Sequence, residues 1–507
     1  MNIKLYDTYL KQDVEINLDK TIKMYSCGPT VYSYLHIGNV VAVMMPELIT
    51  NTIRYSGGKV NWVSNVTDLG HLTDDGDNGD DKMEVGAKRE GKTAAQIAQF
   101  YYEDYLDQLK ALNIDNPEGF NNPHASDYIY EQMLISLYLL QEKRAYITDD
   151  GIYFSNRGNQ DIDRSFLPKF SGSAEFSERD IVNSEKDPED FALWKFVDEN
   201  TLQKYRFIDY PLLSTINIDD SILSLWGCPG WHTECVAMIG AVLGYGVGYQ
   251  PKQFSFDTLK TEDSLVDIHT GGEDHIEVHH KNEILQSLAL GLKLSKYWVH
   301  NRHLKVDNQK MSKSLGNSFN VKGDKSITGI DSIIGKGINP LAFRLLFLEH
   351  DYREQINFTW DKLEQSQNRL FSLYKLGAAI QAKNLVLSET DTNPELDQQF
   401  TQLLLDNLNS RETLELFQKE LTDTVTSLNN KEVRHFVINS LYKLDKIVLK
   451  LNIFQVVPNE YQQLAKLRIE EKNNKDYQKA DVIRDELSTQ GYIIDDYTWG
   501  TGLWKKN

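Results

Sequence analysis

The chain has 507 residues, 40% of them hydrophobic and 25% charged, a formal net charge of −20 and three cysteines. That length allows two to four domains and a core large enough to need no crosslinks, and three cysteines cannot build a disulfide framework, so a reducing compartment is expected. The acidic balance argues against a general nucleic-acid coat protein, whose affinity comes from basic residues neutralising phosphate.

A local nucleic-acid contact stays open. Residues 457–507 carry eight basic and nine acidic side chains and are close to neutral, so the acidity sits on the first 456 residues. The opening MNIKLYDTYLKQDVEINL lacks the basic-then-apolar layout of a secretion signal, and the apolar run after Cys235 is too short and glycine-rich to span a bilayer. A cytoplasmic protein is expected.

In chain order, KTIKMYSCG (20–28) reads as a buried strand ending at a glycine. GNVVAVMMPELITNTIRYSGG (38–58) reads as a helix closed by paired glycines, and KVNWVSNVTD (59–68) as the next strand. Such a unit favours a parallel α/β sheet with ligands at the carboxyl ends of its strands. DDGDNGDD (74–81) is an acidic turn, and residues 81–112 carry a helical period. Within that period GAKREGKT (86–93) matches a P-loop pattern, but an acidic stretch precedes it instead of an apolar strand, so the match is rejected.

Residues 115–220 look inserted, with a helical part followed by GIYFSN and FALWKF. The sheet resumes with DIHTGGEDH and YWVHNRHLKV. Beyond INPLAFRLLFLEHDYR, amphipathic helices run to about residue 452. Val457-Pro458 is a linker, and a compact helical end follows. The expected units are 1–340 (with 115–220 inserted), 341–456 and 457–507.

Three motifs carry chemistry. HIGN, from His36 to Asn39, lies at a strand-to-helix junction, where free amides and the positive dipole end suit a triphosphate; Gly38 permits close backbone approach. KMSKSLGN, with Lys310 and Lys313, is a cationic loop able to close on a pyrophosphate leaving group. Each alone is ordinary, but the two together are not. The third is a set of soft and borderline donors: Cys235 in GWHTEC, and His279 and Glu283 in HHKNE, four apart and so on one helical face. Cys27 is a candidate for the remaining ligand. His232 and His280 are nearby alternatives, and spacing prefers His279 only mildly; Cys228 is left as a non-ligand.

MYSCGPTVYSYLHIGN, NVTD, FALWK, PGWHTEC, HTGGEDHIEVHHKNE, KMSKSLGN and the terminal KADVIRDELSTQGYIIDDYTWGTGLWK resemble the cysteinyl-tRNA synthetases, in order and across nearly the whole chain. The resemblance implies a class I synthetase: a Rossmann-type catalytic domain with a connective insertion, a helical stem-contact domain and a small anticodon-binding domain. It implies one Zn2+ held by the residues matching Cys27, Cys235, His279 and Glu283, which binds the thiolate of the substrate cysteine. It also implies ATP, with Mg2+, at His36, Gly38, Asn39 and Lys313, with Lys310 and Lys313 on the departing pyrophosphate.

Trp231 would wall the cysteine pocket beside Cys27, and tRNA(Cys) would be read at the tail by residues such as Asp481, Arg484 and Trp499, with Asp485, Tyr497 and Trp504 beside them. A monomer is expected. The chain departs from the family pattern at Val40-Val41, where Ala-Arg is common, and at Cys228, where arginine is usual. Stretches 74–81, 196–221 and 241–262 look inserted. A related ligase that joins cysteine to a glucosaminyl-inositol would share the motifs but lack the terminal unit.

Overall fold

The computed structural model describes residues 1–506 except 70–89, 169–186, 188, 211–212, 214–217, 261–262, 312–315 and 324–330. Lys313, the acidic run 74–81, the first half of GAKREGKT and parts of the stretches 196–221 and 241–262 lie outside the described residues.

An antiparallel pair, β1 (Asn2–Asp7) and β2 (Gln12–Asn17), opens the chain. β3 (Ile22–Ser26), α1 (Ile37–Tyr55) and β4 (Val60–Ser64) form the expected strand–helix–strand unit. α1 ends at Ser56, and Gly57 follows with φ +82°. Of the helical period expected over 81–112, residues 81–89 lie outside the described residues; Gly91 has φ +65°, and α2 (Ala94–Ala111) starts with Thr93 as its N-cap. The Thr93 hydroxyl accepts from the Gln96 amide and the Gln96 side chain returns the bond, a capping box that fixes the start of this helix.

The inserted region holds α3 (Ile129–Gln141) and β5 (Ala145–Thr148), β6 (Gly151–Phe154) and β7 (Phe191–Phe196). With β8 (Gly227–Pro229) these strands make an antiparallel sheet in the order β5-β6-β7-β8. α4 (Trp231–Ile239) follows, then β9 (Val266–Gly272), α5 (His279–Ala289) and β10 (Ser295–Asn301).

The central sheet is parallel, in the order β10-β9-β3-β4. The chain steps outward from β3 to β4, then returns to the other side of β3 and steps outward again from β9 to β10. The strand order therefore reverses between β3 and β9. Their carboxyl ends diverge into a crevice there, which is where α/β sheets of this kind bind ligands.

α6 (Leu341–Leu348) leads into the helical array, α7 (Trp360–Gln381), α8 (Pro394–Leu405), α9 (Ser410–Asn429) and α10 (His435–Leu444). The end of the chain is not wholly helical. α11 (Asn459–Asn473) and α12 (Tyr477–Thr489) are followed by an antiparallel hairpin, β11 (Tyr492–Tyr497) and β12 (Gly500–Lys505). One large core joins the first hairpin, α1 and the helical array, while a second lies between the insertion, α4 and α5.

Candidate active site and metal centre

Cys27 is the first residue beyond β3, and its amide donates to the carbonyl of Thr270 on β9, so it stands at the point where the strand order reverses. α4 and α5 pack over this end of the sheet and bring in the other donors. Ligand atoms of Cys27, Cys235, His279 and Glu283 all lie within 4.8 Å of one another. His279 Nε2 is 2.8 Å from Glu283 Oε1 and 3.5 Å from Cys235 Sγ. A tetrahedral ion with bonds of roughly 2.0–2.3 Å needs donors about 3.3–3.8 Å apart, so this set fits zinc after small side-chain movements. Two sulfurs, an imidazole and a carboxylate are also the donor chemistry zinc takes. Cys228, in β8, is not one of these donors.

The surroundings favour the ionised form at Cys27 and Glu283 and disfavour it at Cys235. Loss of water would raise the Cys27 thiol, but a hydrogen bond from Cys235 and the imidazoles of His279 and His280 outweigh it and hold the thiol well below its ordinary range. Burial drives Cys235 well above that range, with Cys27 adding to it. For Glu283 burial is again the largest influence and would raise the carboxyl, yet His279 and His269 together hold it far below the usual carboxylate range. His279 is pushed up to about 10: burial opposes its charge, and Glu283 and Cys27 more than offset that.

Neighbours orient the donors. His232, one of the two alternatives weighed from the sequence, has Nδ1 2.9 Å from His279 Nδ1 and Nε2 3.1 Å from the Asn282 amide nitrogen. The other, His280, has Nε2 3.3 Å from Cys27 Sγ. Trp231 stacks on His279 with ring centroids 4.0 Å apart and planes 19° from parallel, so it borders the donor set.

Sequence reasoning missed two buried histidines of the sheet. His269, in β9, has Nε2 3.0 Å from Glu283 Oε2, and His300, in β10, has Nε2 2.7 Å from His280 Nδ1. The only available signal was a polar residue inside an apolar strand, in DIHTGG and YWVHN, and such a signal does not say what the residue faces.

The helix start beside the crevice is self-capped. His36 Nδ1 accepts from the Asn39 amide at 3.3 Å, and Asn39 Oδ1 accepts from the His36 amide at 3.1 Å. Two of the amides expected to be available are thus already used, while His36 Nε2 and the Asn39 amide group remain outside that box. A Cβ at Gly38 would sit 3.1 Å from the His36 ring and 3.8 Å from Met311 Sδ, so the HIGN and KMSKS motifs meet at this glycine. Lys310 ends a two-residue strand, and Asn317 Nδ2 donates to its carbonyl at 3.0 Å, closing the base of that loop.

The family model for the catalytic domain of class I tRNA synthetases (C) matches residues 13–368. Cysteine–tRNA ligase 1 of Burkholderia lata is 32% identical across 99% of this chain and 97% of its own. The corresponding ligase of Helicobacter pylori strain Shi470 is 31% identical across 99% of each chain, and that of Treponema denticola 29% across the whole of both. The chain belongs to the cysteinyl-tRNA synthetase family. It is a class I aminoacyl-tRNA synthetase by descent, with the α/β catalytic fold expected from its motifs.

In the tail, Asp481 and Arg484 form an ion pair at 3.0 Å on the exposed side of α12. Trp499 stacks on Tyr497 and donates to the carbonyl of Ala379. Trp504 is buried, with Nε1 donating to Asp495, so its ring is not presented to a base. Among the described residues no helix is long and apolar enough to cross a membrane.

Proposed function

We propose that this chain activates L-cysteine with ATP and transfers the cysteinyl group to tRNA(Cys). The observation that carries the reading is the four-donor set of Cys27, Cys235, His279 and Glu283, at the reversal point of a parallel sheet and beside a helix start that touches the KMSKS loop.

In this reading the substrate carboxylate attacks the α-phosphorus of ATP, and pyrophosphate leaves. In the second step a hydroxyl of the terminal adenosine of the tRNA attacks the acyl carbon of the cysteinyl-adenylate, and AMP leaves. His36 and Asn39 donate to the phosphate oxygens, Gly38 lets the backbone approach, and Lys310 and Lys313 stabilise charge on the leaving group, with Mg2+ accompanying the nucleotide. Cys27, Cys235, His279 and Glu283 hold Zn2+; when bound, the ion supplies a thiophilic Lewis acid that distinguishes a thiol from a hydroxyl. Trp231, stacked on His279, walls the cysteine side chain. Shape alone separates near-isosteres poorly, which is why a chemical filter suits this substrate.

The three units, 1–340, 341–456 and 457–507, divide catalysis, stem contact and anticodon reading, with Asp481, Arg484 and Trp499 on the tRNA side. The protein acts in the cytoplasm as a monomer.

The test is ATP-dependent charging of tRNA(Cys) with labelled cysteine, with serine in a parallel reaction. Charging by cysteine and not by serine is expected. Cysteine-dependent pyrophosphate exchange without charging would redirect the reading to a ligase with another acceptor, and no activity of either kind would overturn it.

A further inference from the structure

We propose that Lys281 and Glu189 are positioning residues for the cysteine side chain, their ion pair setting the width of the slot between Trp231 and the donor helix α5. The role rests on the activation of cysteine proposed above, and it gives that slot a support outside the donor set.

The pair is built from both sides. Lys281 lies two residues from both His279 and Glu283, and so on the opposite side of α5. It is buried, and lysine is rarely buried without a partner of opposite charge. Its ammonium stands 2.6 Å from Glu189 Oε1. Glu189 belongs to the inserted region, two residues ahead of β7, and its Oε2 accepts from Asn156 Nδ2 at 3.1 Å. Asn156, just beyond β6, donates its amide to Asp190 at 2.6 Å. The carboxylate is thus fixed within the insertion and presented to the back of α5.

From Glu189 the chain runs directly to the pocket wall. Phe191, the first residue of β7, sets its ring edge-on to His232, with centroids 5.4 Å apart. Leu193 accepts at 2.9 Å from the amide of Gly230, the residue before Trp231. A Cβ at Gly230 would collide with the Ala192 carbonyl, so β7 and the start of α4 meet backbone to backbone. Trp231 then stacks on His279, and His232 Nδ1 lies 2.9 Å from His279 Nδ1. These contacts close a ring: from α5 to Glu189, along β7 to Gly230 and Trp231, and back to α5.

Within that ring the ion pair is a contact of defined length. Ring contacts are satisfied over roughly 2.5 Å of centroid separation, whereas charge-assisted N–H···O bonds cluster within about 0.2 Å. The body of α4 is joined to α5 directly, with the Thr233 hydroxyl accepting from Gln286 at 3.0 Å. Trp231, in the first turn, takes its place from β7, and the pair sets how far β7 stands from α5. A wall misplaced by about 1 Å loses much of its hold on a small side chain. The groups assigned to the phosphates, on α1 and at Lys310, belong to elements outside this ring.

The experiment uses the full-length protein supplied with Zn2+ and follows cysteine-dependent ATP–pyrophosphate exchange, varying cysteine and ATP in turn. Lys281→Met and Glu189→Ala should each raise the KM for cysteine roughly 10-fold, with kcat and the KM for ATP held within about 2-fold. The double variant should lose no more than either single one, because both residues act through one contact. It also leaves no charge of the pair unmatched, so it carries the test if a single variant does not fold, with near-ultraviolet circular dichroism and melting temperature as the check. An unchanged KM for cysteine would overturn the positioning role. So would equal losses toward cysteine and ATP, or a lowered melting temperature with unchanged KM, because the pair would then only hold the insertion in place. Additive losses in the double variant would overturn the joint action of the two residues. No exchange by the wild type would overturn the proposed activity and this role together.

Discussion

Cys27 illustrates how a single position acquires chemistry from its surroundings. It follows a buried strand, donates its amide across to β9, and has its sulfur drawn toward the thiolate by Cys235 and two imidazoles. His279 and Glu283 reach it because four residues of one helix place both on the same face. If these side chains are metal ligands, losing one must cost more than losing a supporting contact. Cys235→Ser and His279→Ala are expected to weaken zinc binding beyond the roughly 10- to 100-fold typical of removing an outer partner. Competition with a chromophoric chelator measures this, and unchanged affinity in both variants would remove them from the ligand set.

At the scale of elements, helix-to-helix ties hold the sheet against the helical array. Arg344 on α6 is almost fully buried and pairs with Glu47 on α1 at 2.8 Å, while its remaining donors meet the carbonyls of Leu112, Val448 and Leu449. Lys450 adds a second cation 3.0 Å from Glu47. Removing one partner of a buried pair leaves an uncompensated charge, so Arg344→Met should lower unfolding free energy by about 3 kcal/mol in a urea titration. The tail has a more exposed counterpart. Burial would raise the Asp496 carboxyl, but Arg468 on α11 and then Lys472 hold it down at about 2. A depressed carboxyl stabilises the fold above its ordinary pKa of 3.8 and loses that contribution as pH falls through about 2. Asp496→Asn should therefore be less stable than wild type at neutral pH, with the gap in melting temperature closing between about pH 4 and pH 2. A gap that stays constant over this range would contradict the assignment.

Across the whole molecule, the terminal unit is bound into the rest of the structure. Trp504 belongs to the large core that also contains α1 and the helical array. Asn339, just ahead of α6, donates to the carbonyl of Lys506, and Gln455 both donates to and accepts from the backbone of Lys505. The last strand lies so close on α7 that a Cβ at Gly502 would come within 2.6 Å of the Ala378 carbonyl oxygen. Because the obstacle is backbone, Gly502→Ala must lift the hairpin away. We expect about 1–3 kcal/mol of lost stability and faster proteolysis near residues 457–458, while cleavage at the wild-type rate would show that the contact is loose.

Local periodicity made β3, α1 and β4 legible, and the spacing within HHKNE put His279 and Glu283 on one helical face. Other features did not show at this range. The terminal hairpin turns at Thr498-Trp499, which lacks the Asn-Gly or Asp-Gly signal that marks a tight turn, so the end of the chain read as helical. The helix start at Thr93 was hidden because the helical pattern read from the sequence ran on through Gly91. What the sequence determined by itself was the family, through motifs whose side chains are close in the chain or ordered along it. What only the tertiary structure decided was the company its candidate donors keep. The reversal of strand order between β3 and β9 brings residues separated by more than two hundred positions to one crevice, and no local pattern records which strand lies beside which. His269 on β9 meets Glu283, and His280 on α5 meets Cys27 and His300, through contacts that cross between these elements.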